Sequence, residues 1–201
     1  MTPLAALADE QLMRAYAAGD ARAFEALYDR HAARLWRYLL RSSGDAASAD
    51  ELSQEVWFSV ARQAAQYAPR AAAPGRAPAR FGTWLFTLAR HRVVDRWRAE
   101  RPHASLDAPV AGDDALTLAD TLAAPSGFGP LRRIETRQQA AQLLAALAAL
   151  PAPQRDAFLL QAEGELSVAE IAHATGVPLQ TAKSRLRAAR AALRRLLEDM
   201  A

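Results

Sequence analysis

The chain has 201 residues, with 25 Lys and Arg against 22 Asp and Glu, which gives a formal net charge of +3. The absence of cysteine excludes disulfides and thiolate metal sites. No apolar run reaches the roughly 18 residues of a membrane span, and the N-terminus lacks the basic start and apolar core of a signal peptide. We therefore expect a cytoplasmic protein without direct membrane insertion.

The chain is 51% hydrophobic, and much of this is alanine, which favours helices but buries little area per residue. Helical patterns are interrupted at 68–80, which has three prolines and three arginines, at 104–130, and at 150–153. The segment 104–130 carries four aspartates and no basic residue. We predict an all-α protein with two small helical domains, at 8–103 and 134–199, joined by an acidic flexible linker at 104–133.

The segment 50–66 is predicted to form a helix with an acidic surface. Leu52, Val56 and Val60 recur at a spacing of four, which places one apolar stripe against the core. One interpretation of the acidic residues is favourable interaction with the dipole at the helix N-terminus. The other is a protein-docking surface, because large aromatic residues stand beside the charges. The candidate docking residues are Asp50, Glu51, Gln54, Glu55 and Trp57.

The segment 81–100 is predicted to form a helix with two apolar stripes. One stripe contains Trp84 and Leu88, and the other contains Phe86, Val93 and Trp97. One stripe is enough to anchor a helix, so the remainder is expected to be exposed between arginines, as in proteins that bind single-stranded nucleic acid. The alternative is burial of both stripes in the core. The candidate nucleic-acid contacts are Trp84, Phe86, Arg90, His91, Arg92, Trp97 and Arg98.

The segment 167–190 has the features of a helix-turn-helix that reads duplex DNA. Ser167 and Glu170 form a predicted capping box, Gly176 suits a turn that needs positive φ, and Pro178 suits the start of a second helix. The alternative is an amphipathic hairpin whose basic face is only solvated. The residues predicted to face inward are Ala182, Leu186, Ala189 and Leu193. The predicted DNA contacts are Gln180, Lys183, Ser184, Arg187 and Arg190.

Five ordered blocks resemble the extracytoplasmic-function (ECF) group of bacterial RNA polymerase sigma factors, in the sigma-70 family. They are LMRAYAAGDARAFEALYDRH at 12–31, DELSQEVW at 50–57, FGTWLFTLARHRVVDRWR at 81–98, LPAPQRDAFLL at 150–160 and SVAEIAHATGVPLQTAKSRLRAAR at 167–190. The resemblance covers nearly the whole chain. It implies a sigma region 2 helical bundle at 8–103 and a sigma region 4 helix-turn-helix at 134–199.

The resemblance implies a subunit that directs core RNA polymerase to specific promoters. The 50–57 block matches the helix that docks on the clamp helices of the largest subunit, and the second domain is expected to contact the flap and the −35 element. The 81–98 block matches the helix that melts and reads the −10 region. Residues 68–80 form a longer loop than is usual in the family, and we expect their arginines to contact phosphates of the open strand. A cognate anti-sigma factor is the implied regulatory partner.

Two other functions account for parts of the sequence. A helix-turn-helix regulator with a sensory or dimerisation domain would explain 167–190, but it needs neither the acidic docking helix nor the aromatic melting helix. An enzyme would need clustered catalytic groups, whereas His31, His91, His103 and His173 are scattered without metal-ligand spacing. We therefore predict no catalytic site, no metal and no cofactor.

Overall fold

A computed structural model describes residues 4–67, 80–100 and 137–198, and these ranges contain α-helices and no strand, which confirms the all-α prediction. Within them, no helix combines the length and the hydropathy needed to cross a bilayer. Two short 3-10 helices lie at Leu4–Ala6 and Ala64–Gln66. The α-helices are α1 Asp9–Ala17, α2 Ala21–Ser43, α3 Ala46–Gln63, α4 Phe81–Glu100, α5 Arg137–Ala149, α6 Ala152–Ala162, α7 Val168–Thr175 and α8 Leu179–Glu198.

Short polar residues and one glycine set the helix ends in the first domain, which contains α1 to α4. The Asp20 carboxylate accepts a hydrogen bond from the Arg22 amide at 3.0 Å and caps α2. Gly44 ends α2 with a φ of 94°, a left-handed conformation that favours glycine. Asp45 then caps α3 by accepting a hydrogen bond from the Ser48 amide at 2.8 Å. Because of this cap, α3 begins at Ala46 and not at residue 50 as predicted.

The core of the first domain lies between α2, α3 and α4. Leu27 and Leu35 of α2, Val56 and Val60 of α3, and Leu85 of α4 are all fully buried. Burial of a side chain of this size stabilises a fold by about 1.5–3 kcal/mol. These stripes therefore determine which faces of α3 and α4 point away from the core.

Charged groups hold α1 against α2 and α4. The Asp9 carboxylate lies 2.5 Å from Arg30 Nη1 and 2.7 Å from His31 Nε2. Burial raises the pKa of Asp9, but the hydrogen bonds and charges of His31 and Arg30 outweigh burial, so this pKa lies below its ordinary value. The Glu10 carboxylate accepts a hydrogen bond from the Phe81 amide at 2.9 Å. The N-terminal helix thus positions the start of α4.

The second domain contains α5 to α8 and has the predicted helix-turn-helix. The Ser167 hydroxyl accepts a hydrogen bond from the Glu170 amide, and the Glu170 carboxylate accepts one from the Ser167 amide at 2.8 Å, so the capping box is confirmed. Gly176 ends α7 with a φ of 67°, and α8 begins three residues later. The inward-facing residues of α8 are also confirmed, since Ala182, Leu186, Ala189 and Leu193 are buried.

The two domains pack against each other across one face of α2 and α4. The loop 163–166, between α6 and α7, lies on that face. A Cβ atom added to Gly164 would lie 2.6 Å from the Leu160 carbonyl oxygen and 3.0 Å from Phe86 Cγ. Glu165 in the same loop has a φ of 53°, which is uncommon for a residue with a side chain. The sequence patterns do not predict this contact between the domains.

Two predicted segments lie outside the described residues. Of the segment 68–80 only Arg80 is described, and the linker 104–133 lies entirely outside. The domain limits 8–103 and 134–199 also reach beyond the described ranges, so they stay predictions.

Substitution of Gly164 tests the tight packing between the domains. We expect Gly164→Ala to lower the free energy of unfolding by about 1–3 kcal/mol, because the methyl group forces shifts of neighbouring atoms. Gly82→Ala in α4 is the matched control: apart from the adjoining residues and the backbone of its own helix, nothing lies within 4 Å of its added Cβ. Alanine is also favoured over glycine in a helix, so this control is expected to be neutral or stabilising by up to about 1 kcal/mol. Urea unfolding measures both, and equal losses would contradict the packing argument.

Candidate nucleic-acid and protein interfaces

The second helix of the helix-turn-helix, α8, presents all five predicted DNA contacts to solvent. Arg190 is oriented by the Gln161 side chain, whose oxygen accepts a hydrogen bond from Arg190 Nη2 at 2.7 Å. In the described part of the chain no carboxylate pairs with the basic members of this set, so their charge stays available for phosphates. One open groove is lined by Gln180, Lys183, Ser184, Arg187 and Arg190, all of which are exposed.

Two residues of this surface were missed by the sequence analysis. Leu179, the first residue of α8, is 44% exposed, and Arg194 lines the same groove as the five predicted residues. The N-terminal residues of a recognition helix contact base edges, and apolar side chains there contact the thymine methyl group. The sequence contained a signal for this role: Pro178 marks the start of α8, so Leu179 is its first residue.

Both sides of α4 are covered in this structure. Leu85 packs into the first domain, while Phe86 is 1% exposed and lies between Tyr38 and the loop that contains Gly164. The ring centroids of Phe86 and Tyr38 are 5.6 Å apart. The expectation of an exposed second stripe is therefore wrong for this conformation, and the alternative of burial on both sides is observed. Phe86 in particular is not accessible to DNA here.

The second domain also covers two other predicted −10 contacts. Arg90 Nε donates a hydrogen bond to Asp156 at 2.7 Å, and its Nη1 donates one to the Ala174 carbonyl at 3.2 Å. The guanidinium of Arg155 lies 5.9 Å from the centroid of the Trp97 ring, a cation–π contact. Arg90 and Trp97 therefore reach solvent fully only if the domains separate.

The other predicted −10 contacts are at least partly accessible. The Trp84 ring packs against Tyr67 and Phe81, with centroid distances of 5.1 Å and 5.8 Å. His91 and Arg98 are exposed. Arg92 is partly buried and donates a hydrogen bond to the Ser59 hydroxyl at 3.0 Å. Their roles on DNA stay predictions.

The outer face of α3 carries an ordered group of acidic residues. Asp50 accepts a hydrogen bond from the Trp36 indole at 2.7 Å. Glu51 pairs with Arg96 at 2.7 Å, and a Glu55 oxygen lies 4.0 Å from Arg92. The four predicted polar docking residues, Asp50, Glu51, Gln54 and Glu55, are all exposed.

Trp57 is a core residue, which corrects its predicted place on the docking surface. It is 6% exposed, and its ring packs against Phe24 at 5.6 Å and Tyr28 at 5.0 Å. The neighbouring Phe58 is 66% exposed instead. Gln54 follows Glu51 by three residues and Phe58 follows Gln54 by four, so the three side chains share one face of the helix. The adjacent aromatic pair was a signal that one member faces outward, but it did not tell which.

A second apolar surface lies on the second domain. An open groove of about 570 Å³ runs between the α5–α6 turn and the C-terminal half of α8. It is lined mainly by small and apolar residues: Leu150, Pro151, Ala188, Ala192 and Leu196. This groove adjoins the basic groove of α8, with which it shares Ala188 and Ala191.

Comparisons with known proteins agree with both domains. The family model of Sigma-70 region 2 matches residues 27–103, and that of Sigma-70, region 4 matches residues 140–193. The chain is 35% identical to the ECF RNA polymerase sigma factor SigL of Mycobacterium tuberculosis, over 92% of this chain and 94% of that protein. It is 27% identical to the ECF RNA polymerase sigma factor SigW of Bacillus subtilis, over 90% of this chain and 92% of that protein.

Two solved structures have a similar fold. One is CnrH in complex with the cytosolic domain of CnrY, with a TM-score of 0.62, 22% identity, and coverage of 96% of this chain and 99% of that one. The other is the sigma factor RpoE with the anti-sigma factor NepR from Bartonella quintana. It has a TM-score of 0.56 and 19% identity, and it covers 82% of this chain and 89% of that one.

The assignments of Trp57 and Phe58 are tested by stability. We expect Trp57→Ala to lower the free energy of unfolding by about 3–5 kcal/mol, because it empties a buried aromatic site. Phe58→Ala is expected to change it by less than about 0.5 kcal/mol, because Phe58 is exposed. Urea unfolding of both variants measures this difference. A large loss of unfolding free energy for Phe58→Ala would show that the Phe58 side chain is also buried in the core.

Proposed function

The chain belongs to the ECF group of the sigma-70 family and directs bacterial RNA polymerase to promoters, and we propose that it does so through three separate surfaces. These are the acidic face of α3, the aromatic and basic residues of α4, and the basic face of α8. The observation that carries the proposal is that one chain exposes both an acidic face with Phe58 on α3 and a basic face on α8. A helix-turn-helix regulator has no need of the first.

Core polymerase is proposed to bind the outer face of α3. Asp50, Glu51, Gln54 and Glu55 would make the polar contacts to the clamp helices of the largest subunit. Phe58 replaces Trp57 as the apolar anchor, because an exposed aromatic beside charged residues is typical of binding hot spots. The groove at Leu150 and Leu196 has the apolar lining that a helix of the polymerase flap would require.

The −35 element is proposed to lie across α8. Lys183, Arg187 and Arg190 would contact phosphates or guanine edges, and Gln180 and Ser184 would donate or accept hydrogen bonds at base edges. Leu179 would add an apolar contact to a thymine methyl group. These residues lie on one exposed face, so a single insertion into the major groove brings all of them to the duplex.

The −10 region is proposed to be opened and read by α4. Trp84 would stack at the upstream edge of the melted duplex, and His91, Arg92 and Arg98 would contact the extruded strand. Trp84 is followed by Leu85, which is buried. Only one aromatic side chain therefore stands at the position for strand separation. Family members perform no catalysis, and we propose that the energy of opening comes from these contacts.

We also infer that an anti-sigma factor controls access to the chain. Both structural neighbours described above were solved as complexes, one of them with a named anti-sigma factor. An anti-sigma factor that covered the α3 face would compete directly with polymerase.

Transcription in vitro tests the proposed function. Core polymerase and this chain together should initiate transcription from cognate promoters without another sigma factor, which a regulator would not do. Phe58→Ala should weaken binding to core polymerase by about tenfold or more, as expected for a central aromatic anchor. Arg22→Ala, an exposed change on α2, is the control and should leave affinity unchanged. Wild-type affinity for Phe58→Ala would remove Phe58 from the docking surface.

Arg187 tests the recognition surface. Arg187→Ala should weaken binding to the −35 element by about 1–3 kcal/mol and relax the preference at one base pair if Arg187 reads a base. Arg22→Ala is the control, because Arg22 is exposed on α2 and lines neither the basic groove of α8 nor the apolar groove. Fluorescence anisotropy of the holoenzyme on −35 duplexes measures both. An equal loss on every sequence would show that Arg187 binds only phosphate.

A further inference from the structure

A carboxylate of the second domain is buried among arginines of the first. Glu163 is 1% exposed. Arg37 Nε donates a hydrogen bond to its carboxylate at 3.0 Å, and Arg41 pairs with the other carboxylate oxygen. Arg34 Nε donates to the Glu163 carbonyl oxygen at 2.8 Å. Three arginines on consecutive turns of α2 thus converge on one residue.

A second carboxylate extends the same surface to α4. One oxygen of Asp156 accepts a hydrogen bond from the Tyr38 hydroxyl at 3.2 Å, and the other lies 2.7 Å from Arg90 Nε. Because Tyr38 lies on α2, Asp156 bridges the two helices. We call Arg34, Arg37, Arg41 and Arg90 the arginine face.

The ion pairs of the arginine face join the two domains, unlike those of most other first-domain arginines. In the described residues, Arg34 pairs with Glu165, Arg37 and Arg41 with Glu163, and Arg90 with Asp156, all of which are second-domain carboxylates. Most other first-domain arginines pair within that domain: Arg30 with Asp9, Arg92 with Glu55, Arg96 with Glu51 and Arg98 with Asp95. Arg80, just before α4, is an exposed exception that lies 3.5 Å from Glu170 of the second domain. Separation of the domains would therefore leave the four guanidinium groups of the arginine face, and that of Arg80, without their carboxylates.

The positive charges of neighbouring arginines in this face also repel one another. Burial lowers the pKa of Arg41, the neighbouring Arg37 lowers it further, and Glu163 acts in the opposite direction. Guanidinium groups held this close require an anion, and the planar arginine fork binds phosphate as well as carboxylate. A surface of four such groups suits a polyanion.

We propose that the arginine face binds the phosphates of the single-stranded promoter strand, and that Asp156 and Glu163 occupy the positions of those phosphates in the free chain. Single-stranded DNA is favoured as the partner because the same closure covers Phe86 and Trp97, whose rings can stack on unpaired bases. The inference rests on the proposed −10 function of α4. It adds Arg37 and Arg41 of α2 to the surface that holds the open strand.

Closure of the domains leaves the other proposed surfaces accessible. Phe58 on α3 and Leu179 at the start of α8 are exposed in this conformation. Polymerase docking and −35 binding therefore do not require the domains to separate, whereas capture of the melted strand does. The second domain thus prevents the free chain from binding single strands outside a promoter complex.

Opening is measured first, on the full chain. The chain has no cysteine, so Ala65→Cys and Ala145→Cys at exposed positions accept a donor and an acceptor dye for energy transfer. Glu163→Gln should reduce the transfer efficiency, because it removes the charge that holds Arg37 and Arg41. Glu165→Gln is the matched control and should leave it nearly unchanged, because the Glu165 side chain is 59% exposed and its pair with Arg34 is solvated.

Binding is measured next, with a mixed-sequence single-stranded 20-mer as the probe. Glu163→Gln should bind it about tenfold more tightly than the wild type, since apparent affinity follows the open population. Arg37→Ala with Arg41→Ala in that background should reverse the gain and reduce the slope of log affinity against log salt by about 1.4. Arg14→Ala with Arg22→Ala removes the same charge from exposed positions elsewhere and should leave the slope unchanged.

Three results would overturn the inference. The first is that Glu163→Gln and Asp156→Asn both keep the energy-transfer efficiency of the wild type, while circular dichroism shows native helicity. The second is opening without tighter binding to the single strand. The third is a gain in affinity for core polymerase but not for DNA, which would make the arginine face a protein contact. Because these assays use the free chain, failure of promoter-dependent transcription would count separately, against the proposed function.

Discussion

The burial of Glu163 between Arg37 and Arg41 decides how the two domains sit together. A carboxylate taken out of water is tolerated only when it is paired and hydrogen-bonded, and removal of one partner from a buried pair costs about 3–5 kcal/mol. Here the carboxylate comes from one domain and both guanidinium groups from the other. The loop that delivers Glu163 shows the cost of this arrangement, since Gly164 has no room for a side chain and Glu165 has a left-handed backbone.

The buried ion pair has consequences for each face of the first domain. With the second domain held against α2 and α4, Phe86 becomes an interface residue and Arg90 is bound by Asp156. The acidic face of α3 and Phe58 stay exposed in the same conformation. The packing of the second domain at Glu163 thus covers part of α4 and leaves the outer face of α3 exposed.

Helical periodicity does not decide which of two adjacent aromatic residues of α3 is buried. The pair Trp57 and Phe58 sits where the core stripe of α3 meets its outer face, and a rotation of one position decides which ring is buried. Periodicity placed Val56 and Val60 correctly but left this boundary open, because a tryptophan is wide enough to reach the core from the edge of the stripe. Contacts with Phe24 and Tyr28 on α2 settle the matter in favour of Trp57. For α4 the error has a different cause, since the residues that cover its second stripe lie far along the chain. Asp156 is 66 residues after Arg90, and Gly164 is 78 residues after Phe86.

The sequence by itself determined the local features: the all-α class, the capping box at Ser167 and Glu170, the turn at Gly176, and the division of α8 into an inward and a basic face. These depend on residues within a few positions of one another, where backbone geometry and periodicity act directly. Only the tertiary structure decided which aromatic residue of α3 faces solvent, that α4 is covered on both sides, and that Arg37 and Arg41 share one carboxylate. Those outcomes depend on pairs that are distant in the sequence, from Phe24 and Trp57, 33 residues apart, to Arg37 and Glu163, 126 residues apart. A pattern within one helix carries no information about such a distant partner.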